Sequence, residues 1–556
     1  VTFRLRLVPV LVAALVALPV TAGFLGTLLP AFGYLPALGA DALSLQPFHE
    51  LFATPGIGRS GLLSVWTGLA ATALSVLLAM LALAAFVGTR ALTRVERMLA
   101  PLLAVPHAAA AFGVALLIPP SGLLFRLAAV PLGLGRPPDL LIVGDPLGLS
   151  LILGLVAKEM PFILLVALAS LPRAEPARRT AVARSLGQGR AAAFLFAVWP
   201  TLYREIRLPV LAVAAFGSSV VDVSLILGPS TPPTLAVQLL RWMGDPDLGL
   251  RLKASAGALL QGGATLAAIL LWLGVERCAA AWLRRRLARG GRLPFEAAMR
   301  GLGLGAALLP VIVVGLGLVG LALWSVAGFW SFPDLLPPSL SGRTWSAALR
   351  SAAGPLGTTL ALGLLSAGAA VLLAILLLAA ASPLPRRLAA LLALPLLVPQ
   401  PAFVFGLSTG LLALGGRPSL LVLSALHLVF VLPYVLLALA EPWARLDPRF
   451  ERVAASLGRG RFARLLRVRL PLLLKPLLSA FAIGFAVSAG LYLPTIVLGA
   501  GLYPTITTEA VALASGGDRR IIGAYALLQA ALPCLAFALV PAIHGLCFPG
   551  RRGMRT

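Results

Sequence analysis

The phrase "VAASLGRGR", Val453 to Arg461, has a near copy in "VARSLGQGR", Val182 to Arg190. Val182, Ala183, Ser185, Leu186, Gly187, Gly189 and Arg190 match Val453, Ala454, Ser456, Leu457, Gly458, Gly460 and Arg461 at a spacing of 271 positions. At the same spacing Pro200 matches Pro471, Leu227 and Gly228 match Leu498 and Gly499, and Pro233 and Thr234 match Pro504 and Thr505. Further matches in register argue against coincidence in a chain rich in Ala, Leu and Arg. Self-similarity at one spacing points to a duplicated architecture. Upstream the spacing becomes 293, where "VPHAAAAFG" (Val105–Gly113) faces "VPQPAFVFG" (Val398–Gly406). The difference falls in one loop, long in the first half ("GLLFRLAAVPLGLGRPPDLLIVGDP", 122–146) and short in the second ("GGRPS", 415–419). Surface loops tolerate such insertions.

The surroundings of both phrases are apolar. The 556 residues have a mean hydropathy of +0.99, with 60% hydrophobic and 12% charged residues. That composition excludes a soluble globular protein and places the chain in the membrane. A membrane helix needs roughly 20 apolar residues. Twelve runs qualify, near 7–29, 61–86, 99–121, 147–171, 207–229, 254–275, 303–326, 354–380, 389–415, 420–440, 476–498 and 521–547. Runs such as "GLLSVWTGLAATALSVLLAMLALAAF" do not alternate, so a β-barrel is excluded. The first run follows Arg4 and Arg6 but is long for the apolar region of a signal peptide, and is expected to be retained. The expected fold is all-α integral membrane: twelve transmembrane helices as two parallel six-helix repeats. Its units are 1–275, a cytoplasmic Arg-rich joint at 276–302, and 303–556. Six spans per unit is an even number, so both halves have the same orientation.

A net charge of +26 invites a nucleic-acid reading. The location of the charges argues against it. With the N-terminus inside, the inner segments carry about three times as many Lys and Arg as the outer ones, while acidic residues divide evenly. That is the positive-inside pattern. It predicts both termini in the cytoplasm, basic loops near lipid headgroups and no nucleic-acid partner. Cys278, Cys534 and Cys547 are scattered and form no disulfide framework.

Each repeated phrase falls between the fourth and fifth runs of its half, on the expected cytoplasmic side. Phe450, Val453, Ala454 and Leu457 follow i, i+3, i+4, i+7 spacing, which predicts a short amphipathic helix. Gly458 can supply the positive φ that ends it. A second basic segment, "RFARLLRVRLPLLLKPLL", then enters the membrane after Pro471. One such loop alone also fits a helix lying in the headgroups. Two copies at equivalent places favour a paired docking surface.

The loop resembles the EAA motif of ABC importer permeases: a glutamate and two alanines, a glycine three residues on, then Ile-x-Leu-Pro after nine more. In the second half Ala454 holds the second alanine position. Gly458 is followed by "VRLP", Val468 to Pro471, which includes Leu470. Arg452 and Val453 replace the glutamate and first alanine. In the first half Gly187 is followed by "AVWP", Ala197 to Pro200, and Ala181 stands where the glutamate belongs. With its two six-span halves, the whole chain resembles the fused permeases of ferric-iron and thiamine importers. The resemblance implies a type I ABC importer permease fold. It implies two copies of a cytoplasmic ABC ATPase, one on each loop, carrying ATP and Mg. It also implies a periplasmic or lipid-anchored substrate-binding protein, a bacterial inner-membrane location, and thiamine, ferric iron or another small cation as solute.

The residues exclude an ATP site of ordinary type on this chain. A P-loop needs Gly-Lys, because the lysine reaches the phosphates. Lys158, Lys253 and Lys475 follow Ala157, Leu252 and Leu474. No cofactor or catalytic residue is expected here, and four unclustered histidines offer no metal site.

Three charges interrupt apolar runs: Lys158, Glu159 and Asp222. A charge at mid-bilayer costs roughly 2.5–3.5 kcal/mol on insertion scales. Glu159 and Asp222 are candidates for lining a translocation path. The alternative is structural, with Lys158 and Asp222 neutralising each other between neighbouring spans. His107 and His427 read as packed or hydrogen-bonded residues. Pro106, Pro161, Pro399 and Pro433 are expected to kink their spans. A secondary transporter of twelve spans is the competing reading. A membrane-embedded enzyme would need clustered acids or histidines at one depth, and the sequence offers none.

Overall fold

The computed structural model describes residues 2–289 and 296–548, so residues 290–295 of the expected joint, and both extreme termini, lie outside the described residues. Among the described residues the chain is helical, with only isolated bridges at Leu35–Ala40 and Ala327–Leu340. In hydrocarbon a helix satisfies its own backbone, which is why long Leu- and Ala-rich runs adopt it. The helix Leu149–Ser170, with 22 residues, is about 33 Å long, enough to cross.

Among the described residues eight helices are long and apolar enough to cross a membrane: Leu7–Ala31, Ile57–Phe86, Leu149–Ala174, Leu250–Ala288, Ala298–Val326, Ala353–Ala380, Leu420–Arg445 and Arg519–Cys547. Two bent pairs raise the number to ten: Ala91–Ala104 with His107–Leu117, bent by 101°, and Arg461–Leu472 with Leu474–Gly490, bent by 77°. Four of the twelve expected runs are thus not single straight helices. The run 99–121 breaks at Val105 and Pro106, where a residue before proline leaves the helical region. The run 389–415 is divided into Arg386–Leu392, Leu394–Leu397 and Pro401–Ala413 around Pro395 and Pro399. The runs 207–229 and 476–498 stop at Ser219 and Gly490, and short helices Asp222–Leu227 and Leu493–Gly499 follow. Pro161 and Pro433 lie inside uninterrupted helices.

Elements recur in one order along the chain. Asp222 and Leu493 open short helices 271 positions apart, as do Leu235 and Ile506. The first long helix of each sequence half packs on the third-run helix of the other. Gly406 abuts the backbone of Gly23 and Gly26, and a Cβ on Gly113 would lie 3.0 Å from Gly317 Cα. Gly113 and Gly406 are a matched pair of the repeat. Small residues let membrane helices approach at backbone distance.

The two ends of the bundle differ. One, the loop face, carries Pro176–Ser185 and Arg449–Ser456. Arg173 lies 3.2 Å from Glu441 there and joins the ends of two long helices, one from each half. The far face carries the first-half insertion, which folds in part as the helix Leu123–Leu132.

Candidate coupling loops and buried charges

The two repeated phrases fold alike. Pro176–Ser185 ends at Leu186, and Gly187 takes φ +81°. Gly187 N donates to Arg184 O at 2.9 Å and Gln188 N to Ala183 O at 3.2 Å. Arg449–Ser456 ends at Leu457, and Gly458 takes φ +77°. Gly458 N donates to Ala455 O and Arg459 N to Ala454 O, both at 3.0 Å. This pair of bonds is the Schellman stop, which needs a left-handed residue and so selects glycine. Ser185 and Ser456 hydroxyls each donate to the carbonyl three residues back, Val182 and Val453, at 2.8 Å. Ala183 and Ala454 are buried, while Val182, Leu186, Val453 and Leu457 are 58–74% exposed. Each helix therefore stands on its alanine and presents a valine and a leucine outward.

A feature invisible in the spacing follows each turn. Phe194–Val198 and Leu465–Arg469 are π-helical segments, again 271 positions apart. Pro200 lies in the first turn of Trp199–Ser219 and Pro471 in Leu470–Leu472, with Val468 and Leu470 beside it. Proline clashes with the carbonyl four residues back, and a widened turn relieves that clash. The flanks then diverge. Ala191, Ala192, Ala193 and Phe194 are buried, whereas Phe462 is 74% exposed. Arg190 donates to Val87 O at 2.6 Å. Arg469 pairs with Glu451 at 3.0 Å and stacks 4.4 Å from the Trp443 ring centre.

The buried charges are not arranged as a Lys158–Asp222 pair. Lys158 Nζ donates to the carbonyls of Leu102 and Val105. These belong to the end of Ala91–Ala104, where the 101° bend strips carbonyls of their helical donors. Glu159 pairs instead with His107 Nε2 at 2.9 Å. His107 also packs on Phe216, ring centres 4.9 Å apart. Asp222 opens the helix Asp222–Leu227 at the break in its run, where a carboxylate complements the helix dipole. The helix Asp222–Leu227 packs on both His107–Leu117 and Leu149–Ser170, which places Asp222 in the neighbourhood of the Glu159–His107 pair. His107 is 39% exposed at its side chain. It is thus both packed and hydrogen-bonded, as its sequence position suggested, with Glu159 as the partner that the sequence did not name. His427 is fully buried between Ser488 Oγ at 2.8 Å and Thr495 Oγ1 at 3.1 Å, as a hydrogen-bonded residue. Among the described residues no group of three or more His, Cys, Asp or Glu could hold a metal ion.

Apolar helices of membrane length, with two glycine-stopped basic loops at one end, are the architecture of a multi-pass membrane protein. The chain is 33% identical to the inner membrane ABC transporter permease protein YnjC of Escherichia coli (strain K12) over 522 residues, covering 93% of this chain and 94% of that protein. The chain therefore belongs to the inner membrane ABC transporter permeases. No family model matches it, and no solved structure matches it.

Proposed function

We propose that the chain is the membrane permease of a binding-protein-dependent, ATP-driven importer, built from two fused parallel halves of six crossings each. Broken and bent helices supply the crossings that lack a straight span. The observation that carries the reading is the pair of matched loops, each a short helix stopped by a left-handed glycine with an exposed valine and leucine. Val182 and Leu186, and Val453 and Leu457, are the contacts each loop offers to one ATPase subunit. The chain hydrolyses no ATP itself, and ATP and Mg are held by the partner. Solute moves past Glu159, His107 and Asp222 by alternating access. Two carboxylates against one imidazole favour a small cation, thiamine and ferric iron among them. A periplasmic or lipid-anchored protein delivers it, and both termini lie in the cytoplasm.

The test is purification with the ATPase from the native operon. The expected complex holds one permease chain and two nucleotide-binding subunits, and all hydrolysis resides in the latter. One ATPase per permease, or hydrolysis by the isolated chain, refutes it.

A further inference from the structure

The first-half insertion at 122–146 has no counterpart in the short loop 415–419. Its helix Leu123–Leu132 meets the segment 328–332 and Gly517–Arg520 at the far face and encloses an open cleft of about 500 Å³. Arg126 is buried in its wall. Its Nε donates to Ser121 O at 3.1 Å, and its Nη1 to Ser331 O and Asp334 O, both at 2.6 Å. Its guanidinium lies 4.4 Å from the ring centre of Trp330 and 5.6 Å from that of Trp324. Arg519 approaches the same Trp324 ring at 5.2 Å and donates from Nη2 to Ser121 Oγ at 2.7 Å. Two cations thus converge on one serine and one indole.

Among the described residues neither guanidinium forms an ion pair. The carboxylate of Asp518 is taken by Arg520 at 3.1 Å. Asp334 gives Arg126 its backbone carbonyl, and its charge only partly offsets the burial and the Arg519 charge that push the Arg126 pKa below its ordinary value. Two crowded guanidinium groups, one buried and one half-buried, favour an added anion.

The depth and rim of the cleft narrow the anion. Trp324 lies in the last turn of Glu296–Val326, and Arg519 opens Arg519–Cys547. Both helices are of crossing length, so the cleft sits where hydrocarbon gives way to headgroups, the level at which indoles settle. Phe329 in the lining is 84% exposed, and Leu124, Leu127 and Leu132 are exposed along the insertion helix. A cationic floor beneath an apolar rim fits an amphiphile with an anionic head rather than a free ion.

We propose that this cleft binds the phosphodiester headgroup of an anionic glycerophospholipid, with Arg126 and Arg519 as its donors and the exposed face of Leu123–Leu132 against its chains. The site occurs once per chain, because only the first half carries the insertion. It stands independently of the transport reading.

The test uses the full chain in detergent, read by native mass spectrometry and thermal unfolding with phosphatidylglycerol, phosphatidylcholine or inorganic phosphate. Phosphatidylglycerol is expected to stay bound and to raise Tm more than phosphatidylcholine does. Arg519→Gln should weaken it at least tenfold, and Arg519→Lys should restore part of that, since lysine keeps the charge without the fork. Leu127→Ser, which leaves both arginines in place, should also weaken it. Equal phosphatidylglycerol affinity in wild type and Arg519→Gln overturns the proposal. So does equal protection by inorganic phosphate, which would make the site one for a free anion. Polyglutamate binding that is lost in Arg519→Gln while phosphatidylglycerol binding persists would assign the cleft to a protein partner, and equally overturns it.

Discussion

Lys158 is held by carbonyls and not by a carboxylate, and this changes what its removal should do. Its ammonium satisfies Leu102 O and Val105 O at the bend between Ala91–Ala104 and His107–Leu117. Buried acceptors left without a donor cost about 1–3 kcal/mol. Lys158→Met should therefore lower the thermal stability of the purified chain by that order, while Asp222→Asn leaves it nearly unchanged. The double variant should be no more stable than Lys158→Met alone. Recovery of stability in the double variant would restore Asp222 as the partner of Lys158. Glu159→Gln removes the charge facing His107 at 2.9 Å. If these groups line the path, uptake should fall severalfold with folded yield retained. Unchanged uptake would reduce the contact to a structural one.

At the scale of elements, the glycine turns and the helix crossings set the limits. A β-branched residue resists positive φ, so Gly458→Val should strain the turn by about 1–3 kcal/mol. A Cβ at Gly458 meets nothing within 4 Å, so the strain is conformational and the variant should still insert in the membrane. The expected readout is loss of ATPase coupling at normal expression. The weaker motif match of the first loop predicts a smaller effect for Gly187→Val. Yet φ is +81° at Gly187 and +77° at Gly458, so the turn strain is the same and any difference must arise in docking. Full transport in both variants would refute the role of the turn. Gly113 is limited by space instead. Its Cβ would lie 3.0 Å from Gly317 backbone. Gly113→Val should force the helices apart at a cost of about 1–3 kcal/mol, seen as a lower Tm. A wild-type Tm would show that the crossing relaxes freely.

For the whole molecule, the exchanged packing of first helices has a consequence for assembly. Thr2–Ala31 meets Gly406 of the second half, and Glu296–Val326 meets Gly113 of the first. Each half therefore leaves one close-packed helix face bare when made alone. Chains split within the Arg-rich joint should be degraded singly and recovered as a complex when expressed together. Stable accumulation of either half alone would show that the exchange contributes little.

Much of this was legible in one dimension. Membrane class follows from hydropathy summed along the chain, and helix from the need of each run to satisfy its own backbone in lipid. The glycine turns were readable because they depend on one residue's φ and on apolar spacing over two helical turns, as Val453, Leu457 and Gly458 show. The basic residues Arg461, Arg464, Arg467 and Arg469 marked the loop by composition alone. Other features depend on how helices rotate and meet, and no local pattern encodes that. The bend at Val105 exposed carbonyls that only the facing helix could reveal as partners of Lys158. His107 and Glu159 stand 52 positions apart, and Arg126 reaches Asp334 across 208. The sequence by itself determined an all-helical membrane protein with two matched, glycine-stopped loops, because those properties are sums or short-range geometries. Only the tertiary structure decided which charges pair, which runs break, and that an insertion in one half builds a cationic cleft against the other. Those outcomes are set by distances between residues remote in the chain.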